Sequence, residues 1–483
     1  MKELNRETTD KKEMLPLRVM QFGGGNFLRA FVDWMVQVLN EETDFNGGVV
    51  VIKPTERGDY KTLKSQDGLF TVILDGIKNG NLIAEKRIID CVQEVINPYS
   101  EWDAYLKLAE NGNLRFIVSN TTEAGIKFNA KDGFNDAPPK EYPGKLTLWL
   151  YHRFQYFEGS ASKGCILLPC ELIENNGDVL KETVIKYAQH WQLGNDFKSW
   201  LQNSNHFCST LVDRIVSGFP EAREDAIQKE LHYEDRLMAA GEYYHSWVIQ
   251  GPGWIKDELP FAKTDLNVQF VEDLAPYREM KVRVLNGAHT AMVPVAYLSG
   301  LRLVSEAMDD ADVSSFVNAL LVQEVGKTLK FPEMEIESFV SDVLDRFRNP
   351  NLKHQLISIS MNSTSKFVAR LLPTLKDFYA SQEKLPERIV FGLTALIRFY
   401  EGEWDGKKIE VKDDDYVMQF FETEWKAFRS KEISWQELIE KILENHKVWG
   451  ENLNQIPGLT ALVEKFSIEI EKNGLRSALK TIS

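Results

Sequence analysis

The stretch Leu17-Arg-Val-Met-Gln21-Phe22-Gly23-Gly24-Gly25-Asn26-Phe27-Leu28-Arg29-Ala30 decides how the chain is read. Its first six residues make a short apolar strand, and three glycines follow at once. An amphipathic helix from Phe27 to about Leu39 comes next. Strand, glycine turn and helix in this order form the place where a dinucleotide pyrophosphate rests. Glycines let phosphates approach backbone N–H groups, and a helix N-terminus favours negative charge. Gly23 and Gly25 supply the first two glycines of that pattern, but Leu28 stands where the third belongs. A tight glycine turn in any α/β protein has the same composition, so the loop alone leaves both readings open.

Outward from this stretch, residues 48–53 are apolar up to Lys53, as in a parallel strand buried on both faces. An acidic residue at that strand's end would hold the adenosine ribose. Lys53-Pro54-Thr55 stands there instead, which leaves NAD against NADP unsettled and would even suit a 2′-phosphate. Residues 69–75 and 83–95, joined through Asn79-Gly80, read as a hairpin insertion. Residues 114–119 form a further buried strand ending in Asn120-Thr121-Thr122-Glu123-Ala-Gly125, polar residues at the ligand-binding edge of a doubly wound sheet. Residues 164–170 and 207–215 continue the strands, Asn176-Gly177 leads into a helix over 179–191, and residues 244–249 read as an added strand. Residues 1–275 are therefore expected to be an α/β, Rossmann-like domain with an expanded, mostly parallel sheet. From 276 to 483 the pattern is all-α. Segments 312–329, 334–347, 353–371, 387–401, 415–430 and 433–447 carry helical periodicity, and Asp413-Asp414-Asp415 reads as a solvated helix start.

Composition narrows the function. The 57 basic and 72 acidic residues leave a net charge of -15, which argues against nucleic acid or an anionic membrane as partner. Only a local basic pocket would hold an anion. The N-terminal residues are polar, without the apolar core of a signal peptide, and no apolar run approaches the roughly 18 residues of a membrane span. Cys91, Cys165, Cys170 and Cys208 are scattered, and neither they nor the eight histidines have metal-ligand spacing. Buried thiols in a reducing cytoplasm, a small-molecule substrate and no metal are the expectations.

One stretch carries chemistry: Pro276-Tyr-Arg-Glu-Met-Lys281-Val-Arg-Val-Leu-Asn286-Gly-Ala-His289-Thr-Ala-Met-Val-Pro294. Asp273 and Pro276 signal a helix start, Val282, Leu285, Ala288 and Met292 give an apolar stripe, and Pro294 should kink or end the helix. At about 100° per residue, Lys281, His289 and Asn286 share one half of the helix surface. An amine that exchanges a hydroxyl proton, an amide that steadies the oxygen and an imidazole that orients it suit metal-free alcohol/ketone interconversion. A solvated lysine with two polar neighbours on a helix face would have the same spacing.

Joined to the glycine turn, Lys281…Asn286…His289 resembles the mannitol dehydrogenase family, the long-chain, metal-independent polyol and sugar-acid dehydrogenases. Asn120-Thr-Thr-Glu-Ala-Gly125, Val212-Asp213-Arg214-Ile215 and Arg346-Phe-Arg-Asn-Pro350 through Lys366 fall in family order along nearly the whole chain. The resemblance implies an NAD cofactor and Lys281 as general acid/base, with Asn286 and His289 placing the reacting oxygen. It implies the nucleotide on Gln21, Phe22, Gly23, Gly24, Gly25, Asn26, Phe27, Leu28 and Arg29, with Asn120 and Thr121 beside them and Asp213-Arg214 toward the nicotinamide. Two positions depart from the polyol-oxidising members. Leu172 replaces an asparagine, and Ser358 replaces an arginine eight residues before Lys366. Both touch the substrate pocket and put plain mannitol in doubt as the substrate; the resemblance implies a sugar acid. Lys366 is retained, either to hold a substrate oxygen or as a solvated helix lysine.

Overall fold

The apolar runs become six strands: β1 (Leu17–Phe22), β2 (Gly48–Ile52), β3 (Val92–Ile96), β4 (Phe116–Ser119), β5 (Ile166–Pro169) and β6 (His206–Phe207). They pair in the order β3-β2-β1-β4-β5-β6, every pair parallel. This is the order of a doubly wound dinucleotide-binding sheet. The computed structural model to which it belongs describes every residue except Asp10, Lys12, Asp59, Glu123 and Ser483. Two compact units divide the chain: Met1–Asp75 with Leu82–Leu274, and Gly76–Asn81 with Ala275–Ser483.

Side chains alternate across a strand, so each run feeds two cores. Val19, Val49, Val51, Phe116, Val118, Ile166 and Leu168 face one side. Met20, Phe22, Val50, Ile52, Ile117 and Leu167 face the other. Helix α1, residues 26–42, covers the first side with Leu28, Phe31, Met35 and Leu39. The helices Tyr142–Tyr156, Asn176–His190 and Asn195–Asn203 cover the second, through Trp149, Val184 and Phe197 among others. Fully burying one such large apolar side chain contributes about 1.5–3 kcal/mol, which is why strands apolar on both faces settle here.

Besides the pair Lys2–Glu3 with Tyr233–Glu234, two smaller sheets lie largely in this unit. Ser209–Asp213, Ser246–Gln250 and Val268–Val271 form one; Val216–Gly218, Ala239–Glu242, Phe70–Lys78 and Asn81–Ile89 form the other. The hairpin turns at Asn79 and Gly80, with φ of 53° and 75°, as their sequence requires. Its second strand stops at Ile89, however, and residues 92–96 are not hairpin but β3, the edge of the main sheet. The break falls where Gln37 Oε1, from α1, accepts the backbone N–H groups of Asp90 and Cys91 at 3.0 and 3.1 Å.

The second unit has one helical core built around helix α2, residues 275–298. Gly392 of the helix Glu387–Phe399 lets the two helices approach, for a Cβ there would stand 3.2 Å from that of Ala291. Pro294 lies within α2, which runs on to Leu298. The segment 353–371 is broken into Leu356–Ile359 and Ser363–Arg370 at Asn362, whose φ is 53°. The helices Leu372–Gln382 and Leu459–Asn473 have no counterpart in the sequence reading. Asp413 is not simply solvated: Tyr400 and Thr364 donate hydroxyl hydrogen bonds to its carboxylate.

Candidate active site

Strand order reverses between β1 and β4, so Gly23 and Asn120, directly after them, flank the point where such sheets open a ligand crevice. Gly23 has φ 118°, and a Cβ on it would lie 3.1 Å from Leu28 Cδ1 and 3.2 Å from the Asn120 carbonyl oxygen. Leu28 thus packs over Gly23, which accounts for the missing third glycine. Gly25 precedes α1 with no side-chain cap, and a Cβ there would meet nothing within 4 Å. The first amides of α1 have no intrahelical acceptor. Open space, an uncapped helix start and exposed Gly25 and Asn26, with Gly24 and Phe27 half-exposed, fit a dinucleotide pyrophosphate.

Other residues of the loop act from beneath it. Gln21, Phe22, Leu28 and Arg29 are buried, so they do not offer side chains to a nucleotide. Gln21 Nε2 donates to the Gly23 carbonyl at 3.0 Å and to Asp33 Oδ2 at 3.2 Å, shaping the turn. The Phe22 ring packs 4.7 Å from Tyr142, and Arg29 donates to Leu237 O and Asn26 Oδ1. Asp33 sits in a π turn, Arg29–Asp33, and complete burial pushes its carboxyl up to about 7. Its Oδ1 and Gln21 Oε1 make no hydrogen bond among the described residues. Tyr60, which carries no sequence signal, accepts the Gly24 N–H on its hydroxyl at 2.9 Å.

At the end of β4, Asn120 donates to Cys170 O at 3.2 Å. Glu171 holds Thr121 through its N–H and hydroxyl, both at 3.0 Å, and Ser119 through its hydroxyl at 3.0 Å. Burial raises the Glu171 carboxyl, and these donors oppose the shift. Thr122 has φ 99°, a strained value for a β-branched residue, while Glu123 lies outside the described residues. Arg214 is committed elsewhere. Buried, it donates to the carbonyls of Ala30, Tyr243 and Tyr244 and stacks 4.2 Å over Trp34; desolvation pushes its pKa down to about 9. It rivets α1 to the unit, and does not offer a free guanidinium to a nucleotide. Asp213 ends its strand half-buried, opposite Ser246.

In the second unit, Lys281–Asn286 form a π turn, where i pairs with i+5 and each turn takes up an extra residue. Such a turn sets Asn286 and His289 nearer in angle to Lys281 than straight α spacing would. The same turn exchanges Val282 for the fully buried Val284 on the core side. His289 lies 4.2 Å from the Phe347 ring and 5.5 Å from that of His354, centroid to centroid. Desolvation, then His354, Arg346, Arg370 and Lys366, hold its pKa well below the usual histidine value, so the imidazole is neutral. Its Nε2 is buried and has no hydrogen-bond partner among the described residues. Lys366, half-buried, donates from Nζ to Ile359 O at 2.9 Å. Arg370 follows Lys366 at i+4 spacing on the same helix.

This is a doubly wound, dinucleotide-binding fold joined to a helical unit. Comparison with known proteins makes it specific. Residues 17–263 match the mannitol dehydrogenase Rossmann domain, and residues 273–470 match the mannitol dehydrogenase C-terminal domain. An altronate oxidoreductase of Yersinia enterocolitica is 46% identical over 484 residues, covering 100% of both chains. D-sorbitol dehydrogenase in substrate-free form superposes with a TM-score of 0.78 at 20% identity, covering 99% of this chain and 100% of the other. Pseudomonas fluorescens mannitol 2-dehydrogenase, in ternary complex with NAD and D-mannitol, gives 0.64 at 20% identity, covering 99% of each. The chain belongs to the mannitol dehydrogenase family.

Proposed function

We propose that this chain interconverts tagaturonate and altronate with NADH and NAD, residues 1–275 holding the nucleotide and 276–483 the sugar acid. The full-length likeness to an altronate oxidoreductase supports the substrate. The observation that carries the chemistry is the π turn that aligns Lys281, Asn286 and the neutral, unpartnered Nε2 of His289 on one helix face.

Bound NADH supplies a hydride to the keto carbon. Lys281, as ammonium, donates a proton to the keto oxygen, and in altronate oxidation the neutral amine takes the hydroxyl proton back. The Asn286 amide and the His289 ring, in its Nε2–H tautomer, hold that oxygen as charge develops on it. Lys366 holds a further substrate oxygen. Backbone N–H groups of Gly25 to Phe27 hold the pyrophosphate, without a metal. Four unpaired, buried cysteines suit work in a reducing cytoplasm.

The test is loss of NADH absorbance with tagaturonate, fructuronate and fructose. Fastest turnover of tagaturonate supports the reading. Preference for fructuronate or fructose makes the chain a sibling reductase, and no turnover with any of them leaves a nucleotide-binding module. NADPH in place of NADH tests the cofactor, since Lys53 would suit a 2′-phosphate.

A further inference from the structure

Three interior arginines of the second unit meet carboxylates. Arg283 pairs with Glu279 and Asp377, Arg388 with Glu324, and Arg398 with Glu401. Arg370, at the C-terminal end of the helix Ser363–Arg370, does not. Half-buried, it makes one hydrogen bond among the described residues, from Nη1 to Thr290 Oγ1 at 3.2 Å. Desolvation lowers its pKa, and no acidic neighbour restores it. A guanidinium has five N–H donors in a planar fork, so four point elsewhere. A desolvated charge without a counter-ion is expensive to keep, and the fork matches a carboxylate.

Its position is built, not incidental. Thr290 immediately follows His289, and its hydroxyl donates to the Asn286 carbonyl at 2.9 Å, so it accepts from Arg370 as a fixed acceptor. The two helices approach where Gly287 has no side chain. A Cβ there would come 3.2 Å from Leu371 Cδ2 and 3.8 Å from the Arg370 carbonyl oxygen. Lys366, one turn earlier, already spends one donor on Ile359 O. Its ammonium is a point charge with three donors, less suited to clamp two oxygens.

We propose that Arg370 is the carboxylate anchor of the substrate, gripping the acid group with its free N–H fork while Thr290 ties it to the helix that carries Asn286 and His289. Binding of a sugar acid completes the missing ion pair, whereas a neutral ketose leaves it incomplete. The assignment rests on reading this helix face as the substrate site, and it makes Arg370 the residue that selects acid over polyol.

The experiment compares the intact enzyme with Arg370→Met and Arg370→Lys. Steady-state rates with NADH are measured on tagaturonate and on tagatose, the neutral ketose of the same skeleton, and altronate binding is read by calorimetry without turnover. Arg370→Met is expected to lower the tagaturonate-over-tagatose ratio of kcat/KM on the order of 10²-fold, through KM, and to weaken altronate binding equally. Arg370→Lys should recover part of both losses, and it keeps the test if the methionine variant fails to fold. Equal losses on tagaturonate and tagatose, or undiminished altronate binding, overturn the assignment. Wild-type enzyme that binds altronate through Arg370 but does not reduce tagaturonate sinks the proposed function and spares the anchor.

Discussion

Replacing Asp33 by asparagine isolates the buried polar pair beneath the glycine turn. Asp33 is fully buried, and its carboxyl is raised from 3.8 to about 7. The raised value means that folding takes up a proton. Stability from this group is therefore full below about pH 4 and lost as pH rises through 7. At pH 8 the gap of about three pKa units opposes folding by roughly 4 kcal/mol, at 1.36 kcal/mol per unit. At pH 5 only the gap between 5 and 3.8 counts, roughly 1.6 kcal/mol. Asparagine does not titrate, and its amide brings a donor to the pair in which Gln21 Oε1 and Asp33 Oδ1 now have no partner. The advantage of Asp33→Asn over wild type should grow by about 2–3 kcal/mol between pH 5 and pH 8. Urea unfolding of both proteins at each pH, followed by circular dichroism, measures this, and other titrating groups cancel in the comparison. Asp33→Ala, which strips Gln21 of an acceptor, should be less stable than Asp33→Asn by roughly 1–3 kcal/mol at both pH values. An advantage of the asparagine variant that does not change with pH would refute the reasoning.

Lys281→Ala should lose on the order of 10²–10⁴ in kcat, the usual contribution of a positioned acid/base, while NADH still quenches protein fluorescence as in wild type. Wild-type turnover would show α2 to be structural only. Gly25→Val adds a side chain where nothing lies within 4 Å, so melting should stay unchanged while NADH affinity falls at least about tenfold by blocked pyrophosphate contact; undiminished affinity would move the cofactor off this turn. Dialysis against EDTA should leave turnover intact, because the chemistry assigned to Lys281 needs no Lewis acid, and loss restored by zinc would reassign it. On the acid side, His289 has a lowered pKa, so its contribution to stability holds above its unfolded value and is lost as pH falls below about 6.5. His289→Gln should flatten that part of the stability profile measured by thermal melting.

Local pattern was enough for what depends on near neighbours. The glycines after Phe22, the apolar runs at 17–22, 48–52 and 116–119, and the spacing of Lys281, Asn286 and His289 are facts of adjacency. They pointed to a doubly wound sheet followed by helices, because strand burial and helical periodicity are written along the chain. Pairing order, with β1 between β2 and β4, arises from contacts among residues about 30 to 100 positions apart, where sequence periodicity is silent. The same holds for the edge strand β3, which local pattern joins to the hairpin and which parts from it at Asp90 and Cys91, whose N–H groups donate to Gln37. Side-chain direction is the other thing folding decided. Resemblance puts Arg29 beside the pyrophosphate and Arg214 toward the nicotinamide, yet burial turns both inward onto backbone carbonyls. Arg370 looks like a helix-end arginine, yet it comes to rest on Thr290, with no carboxylate to meet it. A charge's role depends on which partners the fold brings within about 4 Å, and for these three arginines the acceptors outside their own helix lie 29 to 208 residues away in the sequence.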